Sequence, residues 1–524
     1  MKRFVNQPIL RKAFLLFFGL FLLASFLSAE IRLPSILGDH MVIQQNQPIK
    51  IWGWADPGER ISVTLADQKS LILADSEGKW QVTLKAMEAG RGPLHMTISG
   101  TKSETITLND ILLGEVWVCS GQSNMEWSML LTNSPTPEIQ RADHPHIRLF
   151  HVPKRVATEP LEDVDAEWKA CSPETARTFS AVAYYFGREL HKKLGVPVGL
   201  INSSWGGTRI EPWTPVSGFE SVPELAQTIG EIKVADKDYR NKLADYLPEL
   251  KAWLDAVKTA LLNQKNIPVQ PERPRHSLYN RQSPTALYNG MIHALTPFAI
   301  RGAIWYQGEA NRNDGSIYAK RMEALINGWR KAWQVGEFPF YYVQLAPFNY
   351  GYSQRDDGND VPDFFRLPLI WEAQFEALKI QNTGMAVITD ITNLYDIHPR
   401  NKKDVGYRLA LWAMAKTYGR KGLVYSGPLY RSMAVEGGKI RIHFDHVGSG
   451  LTSLNHQPLS WFEIAGKDRT FYKARADIDG KTVLVWNERV KDPVVVRFGW
   501  HQLAVPNLGN KEGLPASPFR TDRW

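Results

Sequence analysis

The sequence predicts an α/β protein: a parallel sheet covered by helices, with a small all-β domain at each end. Three observations support this fold class. Between residues 109 and 423, apolar runs typical of buried strands alternate with segments of helical periodicity. Residues 30–108 and 424–524 carry strand patterns separated by turn signals, without helices between the strands. Alternation of strands with helices favours a parallel sheet between helical layers, whereas strands without helices favour small β-sandwiches.

The first 29 residues have the pattern of a cleaved signal peptide. Four basic residues flank or precede an uncharged apolar run at 13–27, and Ser28 and Ala29 supply small residues for cleavage. An uncleaved anchor is the alternative, but the run is short for a spanning helix, which needs about 20 residues. We therefore expect an exported protein, periplasmic or extracellular, with no stable membrane association after cleavage.

Residues 30–108 are predicted to form a sandwich-like β-domain. Alternating apolar runs are bounded by turn signals such as Asp56-Pro-Gly58 and Glu77-Gly78. The predicted strands are Ile49–Trp54, Ile61–Leu65, Trp80–Leu84 and His95–Ser99.

Residues 109–423 are predicted to form the central α/β domain. The predicted strands are Leu112–Cys119, Val196–Asn202, Ala299–Tyr306, Phe338–Leu345 and Met385–Ile391. The predicted helices are Phe179–Leu194, Thr285–Leu295, Ile317–Trp333, Leu369–Gln381 and Asp404–Tyr418. The span 215–284 interrupts this alternation, being helix-rich and then rich in Pro and Arg, and is predicted to be an insertion. Residues 424–524 are predicted to form the C-terminal β-domain.

Composition and charge are those of an ordinary globular protein. The 524 residues are 44% hydrophobic and 22% charged. The formal net charge is +8, and four of the positive charges lie in the first 29 residues, which leaves +4 on the rest. That charge is too small and too scattered to indicate nucleic-acid binding. The two cysteines, Cys119 and Cys171, are too few for a disulfide framework, and we expect Cys119 to be a buried thiol.

Polar loops follow four of the predicted strands at the edge where parallel strands end. Gly121–Asn124 follows the first strand, Asn202–Thr208 the second, Gln307–Asn311 the third and Asp390–His398 the fifth. Ligands of open α/β sheets bind outside the carboxyl ends of the strands. These four loops therefore form the candidate site.

The loops carry the residue types that acyl transfer requires. Ser123 is the predicted nucleophile, His398 its general base and Asp396 the carboxylate that orients the imidazole. The backbone N–H groups of Ser123 and Gly207 and the side-chain amide of Gln307 are the predicted oxyanion donors. Each residue alone has a structural explanation, such as a helix cap or a tight turn. Their shared position at the strand ends favours catalysis.

Five further polar residues are predicted to contact substrate. Arg209 and Glu211 follow the glycine pair and would line a polar sugar pocket, although an ordinary surface ion pair is equally expected. Gln122, Asn124 and Asn311 would bind substrate hydroxyls or hold the serine loop.

Four short blocks stand at these strand ends: Gly121-Gln-Ser-Asn-Met125, Trp205-Gly-Gly-Thr208, Trp305-Tyr-Gln-Gly-Glu309 and Asp396-Ile-His-Pro399. Together they resemble the sialate O-acetylesterase family of the SGNH-type hydrolases. The resemblance extends over nearly the whole chain after residue 29, including both β-domains. It implies an SGNH-hydrolase-like sheet and a serine hydrolase that removes O-acetyl groups from sugars, with Ser123 as nucleophile and His398 as base.

One position departs from the family pattern. SGNH-type hydrolases place the acid three residues before the histidine, where this chain has Tyr395. Asp396, two residues before, must then serve, and Glu309 is the alternative acid because related esterases use the Gln-Gly-Glu block near the histidine. The two assignments remain open at this point.

Motifs for metals and nucleotides are missing from the sequence. No His-Glu-x-x-His, Cys-x-x-Cys or phosphate-loop pattern occurs, so no metal or other cofactor is expected. The expected partner is an O-acetylated sugar, either sialic acid or, as the alternative, acetylated xylan or another glycan. A non-catalytic carbohydrate-binding protein is a second class, and the oligomeric state stays open.

Overall fold

The computed structural model describes residues 30–90, 92–351 and 363–524. The predicted signal peptide, residues 1–29, lies outside the described residues. Within the described ranges, no helix combines the length and the apolar character that a membrane span requires.

Six strands form the N-terminal β region. They are β1 (Val42–Gln44), β2 (Ile49–Trp54), β3 (Arg60–Leu65), β4 (Gln68–Leu73), β5 (Lys79–Leu84) and β6 (Leu94–Gly100). β2 pairs with β5, and β3 pairs with both β4 and β6, all antiparallel. Along β5, buried and exposed residues alternate strictly. The period-2 pattern of the sequence therefore marks which side chains enter the core.

Strand β7 (Ile106–Gly121) belongs both to this region and to the central sheet. Its first part pairs antiparallel with β6, and its second part lies between β10 and β11. The predicted domain boundary at 108/109 therefore falls inside a continuous strand. The N-terminal β region is thus joined directly to the strand that ends beside Ser123.

The central sheet contains seven strands in the order β13-β12-β11-β7-β10-β8-β9. All neighbours are parallel except β8 and β9, which are antiparallel. Besides β7, the strands are β8 (His144–His151), β9 (Trp168–Cys171), β10 (Val198–Ser204), β11 (Gly302–Tyr306), β12 (Phe340–Val343) and β13 (Thr383–Ala386). β10, β11 and β12 are buried along their whole length, as expected of parallel strands covered on both faces. The predicted α/β fold class is confirmed.

Nine α-helices are present in the described part of the chain. They are α1 (Ser123–Glu126), α2 (Pro135–Gln140), α3 (Pro173–Arg177), α4 (Ala181–Leu194), α5 (Val216–Glu220), α6 (Ala226–Leu262), α7 (Ile317–Trp333), α8 (Asp363–Glu376) and α9 (Lys402–Trp412). The predicted bounds of α7 match the observed ones. α4 ends at Leu194 and is followed by Gly195 in a left-handed conformation (φ 71°), which is the usual residue at such a helix end.

Some predicted bounds differ from the observed ones, as for α8, predicted at 369–381, and β13, predicted at 385–391. Two stretches differ from the predictions in the kind of element. β8 and β9 were not predicted, because β8 begins with the polar His144-Pro-His146 and only its later residues are buried. The predicted helix at 285–295 is instead a π-helical turn, Tyr288–Ile292, followed by a 3-10 turn, His293–Leu295. The apolar residues of this stretch are buried, and their spacing led to the prediction of a helix. Short irregular turns can bury apolar residues at the same spacing.

The span 215–284 consists mainly of α6 and an irregular return segment. α6 has 37 residues and buries only Ile232, Ala235, Tyr246 and Ala260. The return segment contacts this helix, since the indole nitrogen of Trp253 donates to the carbonyl of Pro268 at 2.9 Å. The span thus adds a long, largely exposed helical arm to the α/β core.

The C-terminal strands form small antiparallel sheets around their own core. They are β14 (Leu429–Glu436), β15 (Lys439–Asp445), β16 (Leu451–Ser453), β17 (Phe462–Ala465), β18 (Phe471–Lys473), β19 (Arg475–Asp479), β20 (Thr482–Trp486), β21 (Val495–Phe498), β22 (Leu508–Asn510) and β23 (Phe519–Arg520). The two cysteines are buried and unpaired, as expected for Cys119.

Candidate active site

Ser123 lies where the central strand β7 ends and α1 begins. Gly121, the last residue of β7, has φ 140°, and a Cβ there would lie 2.2 Å from the carbonyl oxygen of Tyr306 in β11. Only glycine fits this close approach between strands. The chain then turns, and the backbone N–H of Gln122 donates to the same carbonyl at 3.0 Å. Ser123 is therefore fixed by the central pair of strands.

The glycine pair after β10 packs against Ser123. A Cβ on Gly206 would lie 3.2 Å from Cβ of Ser123 and 3.1 Å from Oε2 of Glu126. The backbone N–H of Gly206 donates to that Glu126 oxygen at 2.5 Å. Gly207 is left-handed, with φ 72°, and is exposed. The turn therefore packs directly against the serine, and glycine is needed at position 206 for this proximity.

His398 contacts Ser123 directly. Its Nε2 lies 2.9 Å from Oγ of Ser123, which is hydrogen-bond distance. The indole of Trp127 stacks on the imidazole, with the ring centres 4.6 Å apart and the planes 17° from parallel. His398 comes from the irregular loop between β13 and α9, so the loop after an outer strand of the parallel sheet reaches back to the central one.

Among the described residues, Asp396 is the carboxylate nearest the histidine ring. Its Oδ1 lies 3.6 Å from Nδ1 of His398 and accepts the backbone N–H of the same residue at 3.0 Å. The longer distance is that of an ion pair rather than a hydrogen bond. Burial lowers the pKa of His398, and the charge of Lys402 lowers it further, while Asp396 opposes both. The histidine is therefore neutral, and able to accept a proton, near neutral pH.

Glu309 does not contact the histidine ring. Its Oε1 accepts the side-chain amide of Asn124 at 2.5 Å. The same amide donates to the carbonyl of Ile397 at 3.1 Å, and its oxygen accepts the ammonium of Lys402. The alternative assignment of Glu309 as the orienting acid thus lacks a contact, because Asn124 lies between Glu309 and the histidine loop.

The group formed by Asn124, Glu309 and Lys402, here called the amide bridge, is buried below the serine and the histidine. Asn124 and Lys402 expose 1% and 0% of their surface. Burial raises the pKa of the Glu309 carboxyl and lowers the pKa of Lys402 to about 7. The amide bridge ties the serine loop to the histidine loop. Asn124 was predicted to bind substrate or hold the loop, and its contacts give it the second role.

Gln307 is placed differently from its prediction. Its side chain is fully buried, and its amide nitrogen lies within hydrogen-bond distance of three oxygens, on Gln122, Thr208 and Asn311, at 3.2, 3.1 and 2.6 Å. Its amide oxygen accepts the hydroxyl of Tyr318 at 2.8 Å. With these groups already engaged, Gln307 has no donor left for an oxyanion, and we exclude it from the oxyanion hole.

Gln122 and Asn311 are likewise buried, with 3% and 0% of their surface exposed. The oxygen of Gln122 accepts the backbone N–H of Ala310 at 3.2 Å. The oxygen of Asn311 accepts the backbone N–H of Ile210 at 2.9 Å. Both side chains join neighbouring loops. Of the two predicted roles, binding substrate and holding the serine loop, these contacts support the second.

Arg209 and Glu211 belong to a charged cluster rather than an open pocket. Arg209 contacts Glu211 and Asp314 at 2.8 and 2.7 Å, and Arg321 contacts the same two carboxylates. The amide of Asn311 also donates to Glu211, at 2.9 Å. Two cations and two carboxylates cancel, so Arg209 is not a free cation for an acidic sugar.

Three residues at the site were not predicted to act there. Trp127 covers His398, Lys402 completes the amide bridge, and Glu126 holds Gly206. Trp127 lies four residues after Ser123, a spacing that places it near the serine across a helical turn. Lys402 is four residues after His398. The sequence offers no signal for the burial of its charge.

Within residues 30–90, 92–351 and 363–524, no group of three or more His, Cys, Asp or Glu side chains could hold a metal ion. The described site offers a serine, a histidine in hydrogen-bond contact with it, and backbone donors at the edge of a parallel sheet. These groups define a serine hydrolase with an α/β core.

Comparison with known proteins identifies the family. Residues 113–254 and 276–383 match the sequence model of the family described as "Carbohydrate esterase, sialic acid-specific acetylesterase". The sialate O-acetylesterase of Rattus norvegicus is 31% identical over 76% of this chain and 76% of its own length. That of Mus musculus is 30% identical over 93% of this chain and 94% of its own. The chain belongs to the sialic acid-specific acetylesterase family of carbohydrate esterases.

A solved structure extends this similarity to the fold. The carbohydrate acetylesterase XAC1771 of Xanthomonas citri is 36% identical, with a TM-score of 0.78. The alignment covers 94% of this chain and all of that one. The α/β core and both β regions therefore fall within the similarity.

Proposed function

We propose that this protein removes O-acetyl groups from carbohydrates through an acetyl-enzyme formed on Ser123. The observation that carries the proposal is the 2.9 Å contact between Oγ of Ser123 and Nε2 of His398. The names of the relatives, sialate O-acetylesterase and carbohydrate acetylesterase, support the class of ester. Membership of this family favours an esterase over a non-catalytic binding protein.

In the proposed mechanism, His398 takes the proton of Ser123 as the serine oxygen attacks the acetyl carbonyl. The negative charge that develops on the carbonyl oxygen is met by the backbone N–H groups of Ser123 and Gly207. In the described part of the chain, neither group has a hydrogen-bond acceptor. His398 then donates its proton to the sugar hydroxyl as the ester bond breaks. Water, deprotonated by His398, releases acetate and restores the serine.

Asp396 is the proposed orienting acid. Its carboxylate lies within 4 Å of the imidazole, and its charge favours the imidazolium that forms in each step. A shift of about 0.7 Å would turn its 3.6 Å contact into a hydrogen bond of ordinary length. Catalytic hydrogen bonds are often long in the unliganded state and shorten when substrate binds.

O-acetylated sialic acid is the first candidate substrate, as the names of the relatives suggest. Its carboxylate needs a cation, and Arg209 is already paired. Arg281 and Arg400 are exposed and lie over the rings of Trp205 and Trp127, each at 5.9 Å. Trp127 stacks on His398, and Trp205 directly precedes Gly206, which packs against Ser123. We propose that one or both guanidinium groups bind the carboxylate.

Acetylated xylan or a similar neutral glycan is the second candidate. Trp127 and Trp205 flank the site and offer aromatic faces on which neutral sugar rings can stack. A neutral substrate would not need Arg281 or Arg400.

The test compares acetate release by wild type, Ser123→Ala and the double variant Arg281→Ala/Arg400→Ala. The substrates are 4-nitrophenyl acetate, O-acetylated sialic acid and acetylated xylan. Loss of all release in Ser123→Ala supports the nucleophile. A higher KM for O-acetylated sialic acid alone in the arginine variant supports the sialate. Release that survives Ser123→Ala would refute the mechanism, and equal KM values would favour the neutral glycan.

We also propose that the protein is exported, on the strength of the signal-like residues 1–29. Mass spectrometry of the protein from its native host should show a chain that begins at or near Glu30. Recovery of a chain that still carries residues 1–29 would contradict cleavage.

A further inference from the structure

A groove lies between the N-terminal β region and the α/β core, on residues that the proposed catalysis does not use. Its volume is about 320 Å³, at the lower end of the range of small-molecule sites. β2 and β5 form one wall, and residues of the 152–167 loop and of the turn at 293–297 form the other.

Tryptophan side chains dominate the wall that β2 and β5 form. Trp52 and Trp54 are two residues apart on β2, so both point to the same face, where each is partly exposed. Their partners on β5 are Gln81 and Lys79. Trp80, the third indole of the lining, is buried opposite Gly53.

Polar groups lie beside these rings. The ammonium of Lys79 contacts the carboxylate of Glu162 at 2.6 Å, and both side chains are about half exposed, at 46% and 51%. Gln81 is exposed, and His293 lines the opposite wall. Aromatic faces next to ammonium, carboxylate and amide groups suit a sugar, whose ring has apolar C–H faces and hydroxyls at its edge.

The charged groups of the groove do not sum to a positive charge. Its lining carries Lys79, Glu162 and Asp75. Arg32 stacks on the Trp54 ring at 3.8 Å, and Glu77 lies 3.7 Å from Lys79. Burial lowers the pKa of His293, which keeps that ring neutral at neutral pH. The groove therefore has no excess positive charge to attract an acidic sugar, and a neutral one fits it better.

The walls of the groove are held in place by contacts between the two regions. The backbone N–H of Ser35 donates to Asp163 at 2.8 Å, and the indole nitrogen of Trp168 donates to the carbonyl of Ile36 at 2.9 Å. The backbone N–H of Leu161 donates to the carbonyl of Asn289 at 2.9 Å. Because the 152–167 loop is tied to both sides, the groove is formed before any ligand arrives.

From this geometry we propose that the groove, with Trp52 and Trp54 as its stacking platform, binds a neutral oligosaccharide segment of a glycan. This function goes beyond the proposed ester hydrolysis, and it makes the N-terminal β region a glycan-binding element beside the esterase core.

The test titrates the wild-type protein with xylohexaose, with a poly-N-acetyllactosamine hexasaccharide and with 3′-sialyllactose, by calorimetry and tryptophan fluorescence. These probes carry no O-acetyl ester, so the result is independent of esterase activity. Saturable binding of a neutral hexasaccharide is expected, and which of the two binds indicates the source of the glycan. Sialyllactose should bind more weakly.

Two variants locate the binding in the groove. Trp54→Ala removes one stacking face, and Gln81→Trp places a bulky ring in the groove from an exposed position. Each should weaken binding at least tenfold and leave hydrolysis of 4-nitrophenyl acetate unchanged. Trp524→Ala, at a remote tryptophan that is 41% exposed, is the matched control and should bind like wild type.

Three outcomes would overturn the proposal. They are no saturable binding of either neutral hexasaccharide, binding that Gln81→Trp leaves intact, and equal weakening in Trp524→Ala. Thermal unfolding of each variant shows whether Trp54→Ala still folds. If Trp54→Ala does not fold, Gln81→Trp still tests the proposal, because Gln81 is exposed and its replacement leaves the core intact.

Discussion

The serine side and the histidine side of the site are built differently. Ser123 follows a strand that is buried from Ile111 to Gly121, and Gln122 and Asn124 beside it are buried and hydrogen-bonded to neighbouring loops. His398 lies in a loop without regular structure, next to Tyr395, which is 88% exposed, and Asp396, whose side chain is 33% exposed. The nucleophile is therefore held by the core of the sheet. The base is held by a few contacts: the Trp127 ring, the amide bridge and Asp396.

This difference indicates how each side responds to substitution. On the serine side, small steric changes displace a rigid group and should reduce catalysis strongly. On the histidine side, the chain can adjust, so loss of one supporting contact should cost less than loss of the imidazole itself.

The largest effect tests whether His398 is the base at all. His398→Ala should lower kcat for acetate release by about 10⁴-fold or more, because a serine without its base is a weak nucleophile. Tyr395→Ala, at an exposed position of the same loop, should retain wild-type activity in the same assay. Similar losses in both variants would mean that the loop, and not the imidazole, is required.

The rigidity of the serine side is tested at Gly206. A methyl group there would crowd Cβ of Ser123 at 3.2 Å, and a misplacement of about 1 Å can cost 10²-fold in rate. We expect Gly206→Ala to lower kcat by roughly 10²-fold with little change in KM. The exposed Gly230, whose added Cβ would meet nothing within 4 Å, is the control as Gly230→Ala. Wild-type kcat in Gly206→Ala would show that the serine is not rigidly held.

The looser support of the histidine side is tested with the two acids. Asp396→Asn should lower kcat/KM by roughly 10- to 10²-fold, less than loss of the imidazole, because the contact to Nδ1 is long and partly exposed. Glu309→Gln should mainly lower the unfolding temperature, since Glu309 is bonded within the amide bridge. If Glu309→Gln shows the larger loss of kcat at unchanged stability, Glu309 is the orienting acid and Asp396 is not.

The smallest effect concerns the pH dependence set by Lys402. The base must be neutral, and burial and Lys402 lower the pKa of His398 below its usual 6.5. Activity should therefore persist below pH 6.5 and fall only as pH drops through that lowered pKa. Lys402→Gln removes a neighbouring positive charge, so the acidic limb of the kcat/KM profile should move to higher pH.

Lys403→Gln is the matched control for that shift. Lys403 is the adjacent lysine, its side chain is 55% exposed, and it contacts Glu138 at 3.0 Å. The acidic limb of the kcat/KM profile of Lys403→Gln should coincide with that of wild type. An unchanged limb in Lys402→Gln would mean that Lys402 carries no charge near the histidine in the active enzyme.

The same contrast explains what the sequence could predict. The strand that precedes Ser123 and the loops at the strand ends have strong local patterns, so the α/β class and the juxtaposition of Ser123 with His398 follow from topology alone. Strand β8 was missed because its first residues are polar and only its later residues are buried. The role of Gln307 was misassigned, and the role of Asn311 stayed open between substrate binding and holding the loop, because an amide in a loop looks the same whether it faces solvent or is buried. Burial depends on packing between loops distant in the chain.

The central claim is that Ser123 carries the acetyl group during the reaction. The most direct measurement is rapid acid quenching of wild type, mixed with excess 4-nitrophenyl acetate, followed by peptide mass spectrometry. Our account predicts an acetyl group on the peptide that contains Ser123, a burst of 4-nitrophenol if deacetylation is the slower step, and neither in Ser123→Ala. An acetyl group on another residue, or acetylation of that peptide in Ser123→Ala, would contradict it.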